Sequence, residues 1–320
     1  MKKIFIALGL LVTILALCCG SPVKLVAQLA SESNSDITQT IDISDKSALD
    51  QAAFRPQDRS ESSSPYDTKV RAIIGKDDRV PVLTRKFPWS TIGRIEYREN
   101  GNSYTCTGSL IGRNLVLTNA HCLIDKNTGK PIVARNSNPS AAQLLFRPSL
   151  IKNTSIDQAR VIDYQYGTTD PRSANPADDW AILKLDKPLG DLYGYLGWRD
   201  LNFSRKSVLA KSRKRLTLVG YAEDYPKSKD AFELGNSGET AGMHRGCSIE
   251  DADQGLVIHR CDSNPGASGG PIFAYFKDTK SYSIVALHSS TFTNTNGKVR
   301  NRAVQVSRWA AKASALRRIK

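Results

Sequence analysis

What most constrains this chain is the spacing of its apolar runs. From residue 90 onward, short β-prone stretches follow one another with turn residues between them: STIGRIEYR (90–98), SYTCTGSLI (103–111), NLVLT (114–118), AQLLF (142–146), ARVIDYQY (159–166) and WAILKL (180–185). RLTLVGYA (215–222), GLVIHRC (255–261), GGPIFAYF (269–276) and YSIVALHSS (282–290) continue the series. Asn100 and Gly101 between the first two runs are a hairpin signal, because the pair tolerates the positive φ that a tight two-residue turn demands. Many short strands with no long helix between them predict an all-β barrel or sandwich. Only VSRWAAKASALRRI (306–319) has helical spacing; it predicts a C-terminal helix over about 306–318 with Trp309 and Leu316 turned inward. No internal repeat interrupts this pattern.

The first 71 residues are different in kind. Lys2 and Lys3 precede an apolar run from Ile4 to Cys19, the layout of an export signal, with a boundary after Gly20 or as late as Ala27. The run is short for a membrane span and no second one of about 18 residues follows, which excludes a polytopic membrane protein. Export to the medium or the periplasm is the expectation. A lipid anchor through Cys18 or Cys19 is the lesser reading, since Leu17 stands where lipoprotein signals carry a small residue. Residues 21–71, as in SESNSDITQT and RSESSSPYD, are polar and aperiodic and read as a propeptide or flexible leader.

Four cysteines remain beyond the signal: Cys106, Cys122, Cys247 and Cys261. An even number in an exported chain suggests two disulfides, and the sequence-local pairing 106 with 122 and 247 with 261 is the simplest of three connectivities. Each would close a loop of about 15 residues and stabilise by about 3 kcal/mol. A structural metal is disfavoured, because no C-x-x-C pair is present and the histidines lack ligand spacing; no cofactor is expected. The net charge is +14, and since residues 1–71 hold 8 basic and 8 acidic groups the whole surplus lies beyond them. The basic residues are scattered apart from a cluster over 205–215 and a tail over 317–320, and no nucleic-acid module accompanies them, so a solvated basic surface on a monomer is expected.

Three separated segments carry chemistry. Residues 118–122 (TNAHC) end a strand with a histidine, residues 178–183 (DDWAIL) open a strand with carboxylates, and residues 265–271 (PGASGGP) set a serine among glycines. Attack by a serine hydroxyl needs these parts: a base to take its proton, an acid to orient that base, and backbone N–H groups for the developing oxyanion.

At these residues the chain resembles the chymotrypsin-like serine proteases, whose triad runs in the order His, Asp, Ser. CTGSLIGRNLVLTNAHC is similar to that family's stretch from its first disulfide cysteine to the catalytic histidine, which also favours a Cys106 to Cys122 bridge. DWAILKL is similar to the aspartate strand and GASGGP to the nucleophile loop. The resemblance implies His121, Asp179 and Ser268 as catalytic residues, the amides of Gly266 and Ser268 as the oxyanion hole, polypeptide substrates, and two antiparallel β-barrels (about 72–188 and 189–307) followed by the helix. An inactive binding protein on the same scaffold, or a protease acting only on its own leader, are the competing readings.

The chain resembles the bacterial glutamyl-endopeptidase branch most closely, over about residues 72–312. AIIGKDDR (72–79) looks like the mature start of those enzymes, with Val70 and Arg71 offering a basic processing site; CDS (261–263) and IVALH (284–288) look like pocket segments. Ala267 stands where animal digestive enzymes carry an aspartate for the freed N-terminus, so activation through that ion pair is unavailable, and cleavage near Arg71 is expected to complete the pocket instead. Specificity is left open. Asp262, six residues before Ser268, matches a carboxylate for substrate Lys or Arg, whereas Ser263 and His288 match groups that bind a substrate glutamate. His244 and His259 read as ordinary structural or surface histidines, and Trp89, Trp180 and Trp198 as anchors.

Overall fold

The computed structural model describes residues 40–56, 77–99, 102–136, 143–170, 176–293 and 296–319. The expected signal with Cys18 and Cys19, the turn at Asn100 and Gly101, the basic site at Val70 and Arg71, and residues 72–76 lie outside them. No helix among the described residues is long and apolar enough to cross a membrane.

Two short strands come first, β1 (Thr40–Ile41) and β2 (Arg79–Pro81). Six more, β3 (Ile92–Glu99), β4 (Asn102–Gly112), β5 (Leu115–Thr118), β6 (Gln143–Pro148), β7 (Ala159–Tyr166) and β8 (Ala181–Leu185), form a closed antiparallel barrel in the order β3-β4-β5-β8-β7-β6. Alternation along the strands sorts the side chains. Ile95, Leu110, Val116, Phe146 and Leu183 fill the barrel interior, while Ile111, Leu117 and Ile182 face the other way, into a cluster with Trp198, Leu287 and Trp309. β5 is therefore buried on both faces, which is why its sequence, LVLT, shows no polar alternation.

The second unit contains α1 (Leu189–Tyr193), β9 (Gly197–Trp198), α2 (Lys206–Ser212), β10 (Leu216–Gly220), α3 (Ala231–Leu234), β11 (Gly242–Cys247), β12 (Ile249–Asp253), β13 (Leu256–His259), β14 (Pro271–Phe276), β15 (Ser281–Thr293) and β16 (Val299–Gln305). Its sheet runs β12-β13-β16-β15-β14-β10-β11-β2, with β1 added in parallel to β14 and β9 to β15. β2 thus joins the second unit, although the expected limit of 72–188 places it with the first. The cause is the ladder from Arg79–His244 to Pro81–Gly242. The C-terminal helix α4 spans Ala310–Arg318, later than the expected start at 306 because Val306–Arg308 makes a tighter 3-10 turn. Trp309 is fully buried edge-on to Trp198, with ring centroids 5.3 Å apart.

Part of the expected leader is built into this unit. Residues 40–56 supply β1, two core isoleucines (Ile41 and Ile43) and bridges from Gln51 to Trp198 and Phe54 to Tyr195. Both sequence-local disulfides are formed, Cys106 to Cys122 and Cys247 to Cys261.

Candidate active site

The β5–β8 ladder brings the first two chemical groups together. Thr118 pairs with Ala181, so a residue three past the end of one strand and a residue two before the start of the other meet beyond the register. Those residues are His121, on a 3-10 turn over Ala120–Cys122 that the Cys106 bridge ties to β4, and Asp179. His121 Nδ1 lies 2.8 Å from Asp179 Oδ2, and the His121 backbone N–H donates to Oδ1 at 3.0 Å. Asn119 Nδ2 donates to the Asp179 carbonyl at 2.7 Å, and the Ser289 hydroxyl donates to Oδ2 at 2.7 Å. An ionised carboxylate only accepts, so the shared hydrogen sits on Nδ1 and Nε2 is left as an acceptor. Asp178 points elsewhere, into an ion pair with Arg308.

Ser268 sits on a loop shaped by glycine. Gly266 has φ +90°, and a Cβ there would meet the Tyr221 carbonyl oxygen at 2.4 Å; Gly269 has φ +82°, and a Cβ would meet Thr107 O and Thr118 Oγ1 at 2.2 Å. Both conditions exclude other residues. The loop is pinned from β4: the Thr107 N–H donates to the Ser268 carbonyl at 2.8 Å, and the Thr107 hydroxyl donates to the Gly266 carbonyl at 2.9 Å. Its amides divide into two sets. Those of Ala267, Gly269 and Gly270 are bonded to Asn264, His288 and Ala267 carbonyls. Those of Gly266 and Ser268, on either side of Ala267, make no hydrogen bond among the described residues, so two N–H donors of one loop remain for an incoming group. The Ser268 hydroxyl donates to the Ser289 carbonyl at 3.2 Å, and no hydrogen bond joins it to His121 in this resting arrangement.

His121, Asp179, Ser268, Gly266, Ser263 and His288 all line one cleft of about 930 Å³. Behind its wall the Cys261 N–H donates to His259 Nδ1 at 3.1 Å, which places the His259 proton on Nε2. Nε2 lies 3.0 Å from His288 Nδ1, and His288 Nε2 is in turn bonded to the Ser263 hydroxyl. Donors thus run in one direction from backbone to cleft. Burial, reinforced by His121 and opposed by Asp179, pushes the His288 imidazole down to about 3, and burial together with His288 holds His259 well below its ordinary value. Both rings are neutral near pH 7.

Asp262 does not line this cleft. Its carboxylate accepts the Asp78 N–H at 2.9 Å and lies 3.0 Å from His244 Nδ1, which also accepts the Asp262 N–H at 2.9 Å. Next to it Arg79 is buried between Asp77 and Asp224, with bonds of 2.9 to 3.1 Å. Burial works against that guanidinium's charge, but the two carboxylates outweigh it and raise its pKa, and Asp224 also takes a bond from Asn264, just before the Ser268 loop.

Three participants had no signal of their own in the sequence: Ser289, which touches both Asp179 and Ser268; Thr107, which holds the loop; and His259. The expectation that His259 and His244 are ordinary structural or surface histidines is refined, since both are buried and bonded to pocket-segment residues, His288 and Asp262. Ser289 follows His288 on β15, where alternation would turn it to the opposite face, and the register shift between His288 and Ser290 is what accompanies both side chains lining the cleft.

A closed barrel beside a second β-sheet, with the cleft described above and a C-terminal helix, is the fold of the chymotrypsin-like serine proteases. The chain belongs to the trypsin-like peptidase domain family, whose match covers residues 106–277, more than half of its length. It is 24% identical over 220 residues to a glutamyl endopeptidase of Bacillus licheniformis, covering 68% of this chain and 59% of that protein. It is 25% identical over 244 residues to serine protease 23 of Homo sapiens, covering 68% and 54%. The chain thus matches little more than half the length of these relatives. The solved structure of a Glu endopeptidase in complex with MPD superposes with a TM-score of 0.57 at 20% identity, covering 78% of this chain and all of that one, a likeness of fold.

Proposed function

We propose that the chain is an exported serine endopeptidase in which His121, Asp179 and Ser268 act as the triad. The observation that carries this is the His121 to Asp179 contact in the same cleft as Ser268, whose own amide and that of Gly266 are free among the described residues. In this mechanism the Ser268 hydroxyl leaves the Ser289 carbonyl by a change of rotamer and bonds to His121 Nε2. Oγ then attacks the peptide carbonyl carbon as its proton passes to Nε2; Asp179 steadies the imidazolium, and the Gly266 and Ser268 N–H groups bind the oxyanion. His121 returns the proton to the leaving amine, and water hydrolyses the acyl-enzyme with His121 again as base.

For specificity, the placement of Asp262 favours acidic substrates. Its charge is met by the Asp78 amide beside His244, while the Ser263 hydroxyl, bonded to His288 Nε2, lines the cleft with His288 and has its hydrogen left to donate to a carboxylate. Maturation near Arg71 fits the same arrangement, since the segment just beyond it bonds to Asp262 and, through Arg79 and Asp224, reaches Asn264 just before the Ser268 loop. The test is to incubate the purified enzyme with a peptide library and label it with a fluorophosphonate. Cleavage after Glu and labelling that vanishes in Ser268→Ala are expected. Cleavage after Lys or Arg would overturn the pocket assignment, and labelling that persists in Ser268→Ala would overturn the triad.

A further inference from the structure

We infer that residues 40–56 are a permanent strap of the mature catalytic domain, one that stays bound without a covalent link when the chain is cut between residues 57 and 76. The segment is core, not cover. Ile41 and Ile43 are essentially inaccessible and sit in the same apolar cluster as Phe203, Leu218 and Phe276. Withdrawing them would open the interior of the second sheet to water.

The catalytic domain's own sequence is also cut to fit the strap. A Cβ at Gly197 would meet the Gln51 carbonyl oxygen at 2.3 Å, so glycine there is required by the strap's backbone. The buried Trp198 indole N–H donates to Leu49 O at 2.7 Å, and the buried Arg199 guanidinium donates to Ile43 O at 2.9 Å while pairing with Asp278. Without the strap, both polar groups would lose a partner in the interior, at the cost that accompanies an unsatisfied buried donor. Arg317 from α4, stacked 4.1 Å over the Trp198 ring, reaches Ala52 O at 2.9 Å.

Charge follows the same pattern. The basic cluster over 205–215, expected to be a solvated surface, contributes Arg205 to Asp45 at 2.9 Å and Arg215 to Thr40 O at 2.8 Å. Residues 21–71 contain no cysteine, so no disulfide can hold the strap after cleavage, and the contacts above must do so. Processing near Arg71 would then yield a two-chain enzyme.

The experiment uses the full chain carrying Ser268→Ala, so that its outcome is independent of catalysis, with the recognition sequence of a site-specific protease replacing residues 59–64. After cutting, the peptide containing residues 40–56 should co-elute with the catalytic chain at one-to-one on native gel filtration and separate only in denaturant. Ile41→Asp with Ile43→Asp should speed its release at least about tenfold. Release of the unmutated peptide under native conditions, whether or not the remaining chain stays folded, overturns the inference. So does isolation of active wild-type enzyme whose denatured mass spectrum lacks residues 40–56 altogether.

Discussion

His121 and His288 stand in one cleft with opposite surroundings, and the contrast separates a group placed to accept a proton from one placed to refuse it. His121 is about one fifth exposed and holds a buried carboxylate at 2.8 Å, so an imidazolium formed there has a counter-charge waiting. His288 is buried against an imidazole and a hydroxyl, both neutral, and among the described residues no carboxylate lies in bonding reach of it. The same side chain is therefore set beside a carboxylate in one place and beside neutral groups in the other, and the partner decides whether its charged form is supported.

The sharpest way to break the contrast is to remove the counter-charge. Asp179→Asn keeps the shape but presents an amide to Nδ1, which favours the wrong tautomer; kcat should fall about 10⁴-fold with the fold intact by circular dichroism. Wild-type kcat in this variant would show that the carboxylate does not define His121. Gly266→Ala comes next. The positive φ and the 2.4 Å approach to Tyr221 O force the loop to move, so one oxyanion donor should be displaced and kcat should fall about 10²- to 10³-fold with smaller change in KM. Ser289→Ala removes one hydrogen bond from the Asp179 carboxylate and should cost about tenfold in kcat, with KM unchanged, as befits a positioning residue.

These side chains differ in how readily the sequence revealed them. The strands around His121, Asp179 and Ser268 alternate strongly or are buried on both faces, so the all-β class was readable in them, while the two barrels and their cleft were legible only through the family resemblance that the contiguous motifs carry. β11, β12 and β16 were not, because GMHRGC, IEDAD and VRNRAVQ carry glycine and charge where apolar alternation was sought. Their stability comes from ladder partners distant in sequence. Asp262 was ambiguous for a related reason: spacing places a carboxylate beside a pocket, but only the fold shows it turned to the Asp78 amide. Residues 40–56 were read as leader because two isoleucines in a polar stretch have no period, and only the cavity they enter makes them core.

The smallest expected effect bears on the neutral histidine itself. His259 and His288 have folded-state pKa values depressed by burial, His288 to about 3, against an unfolded value of about 6.5. Above pH about 6.5 neither state is protonated and neither histidine contributes a pH dependence. As the pH falls from there towards 3, the unfolded chain takes up protons that the folded one does not, so stability drops by up to about 1.4 kcal/mol per pH unit for each histidine. Urea unfolding at pH 7.5, 6.5 and 5.5 should show this loss, and His259→Gln should lose less stability over the same interval, by up to one proton's worth of slope. Equal slopes in the two proteins would mean that His259 protonates freely in the folded state, and the distinction between a proton-accepting and a proton-refusing imidazole would then rest on His288 alone.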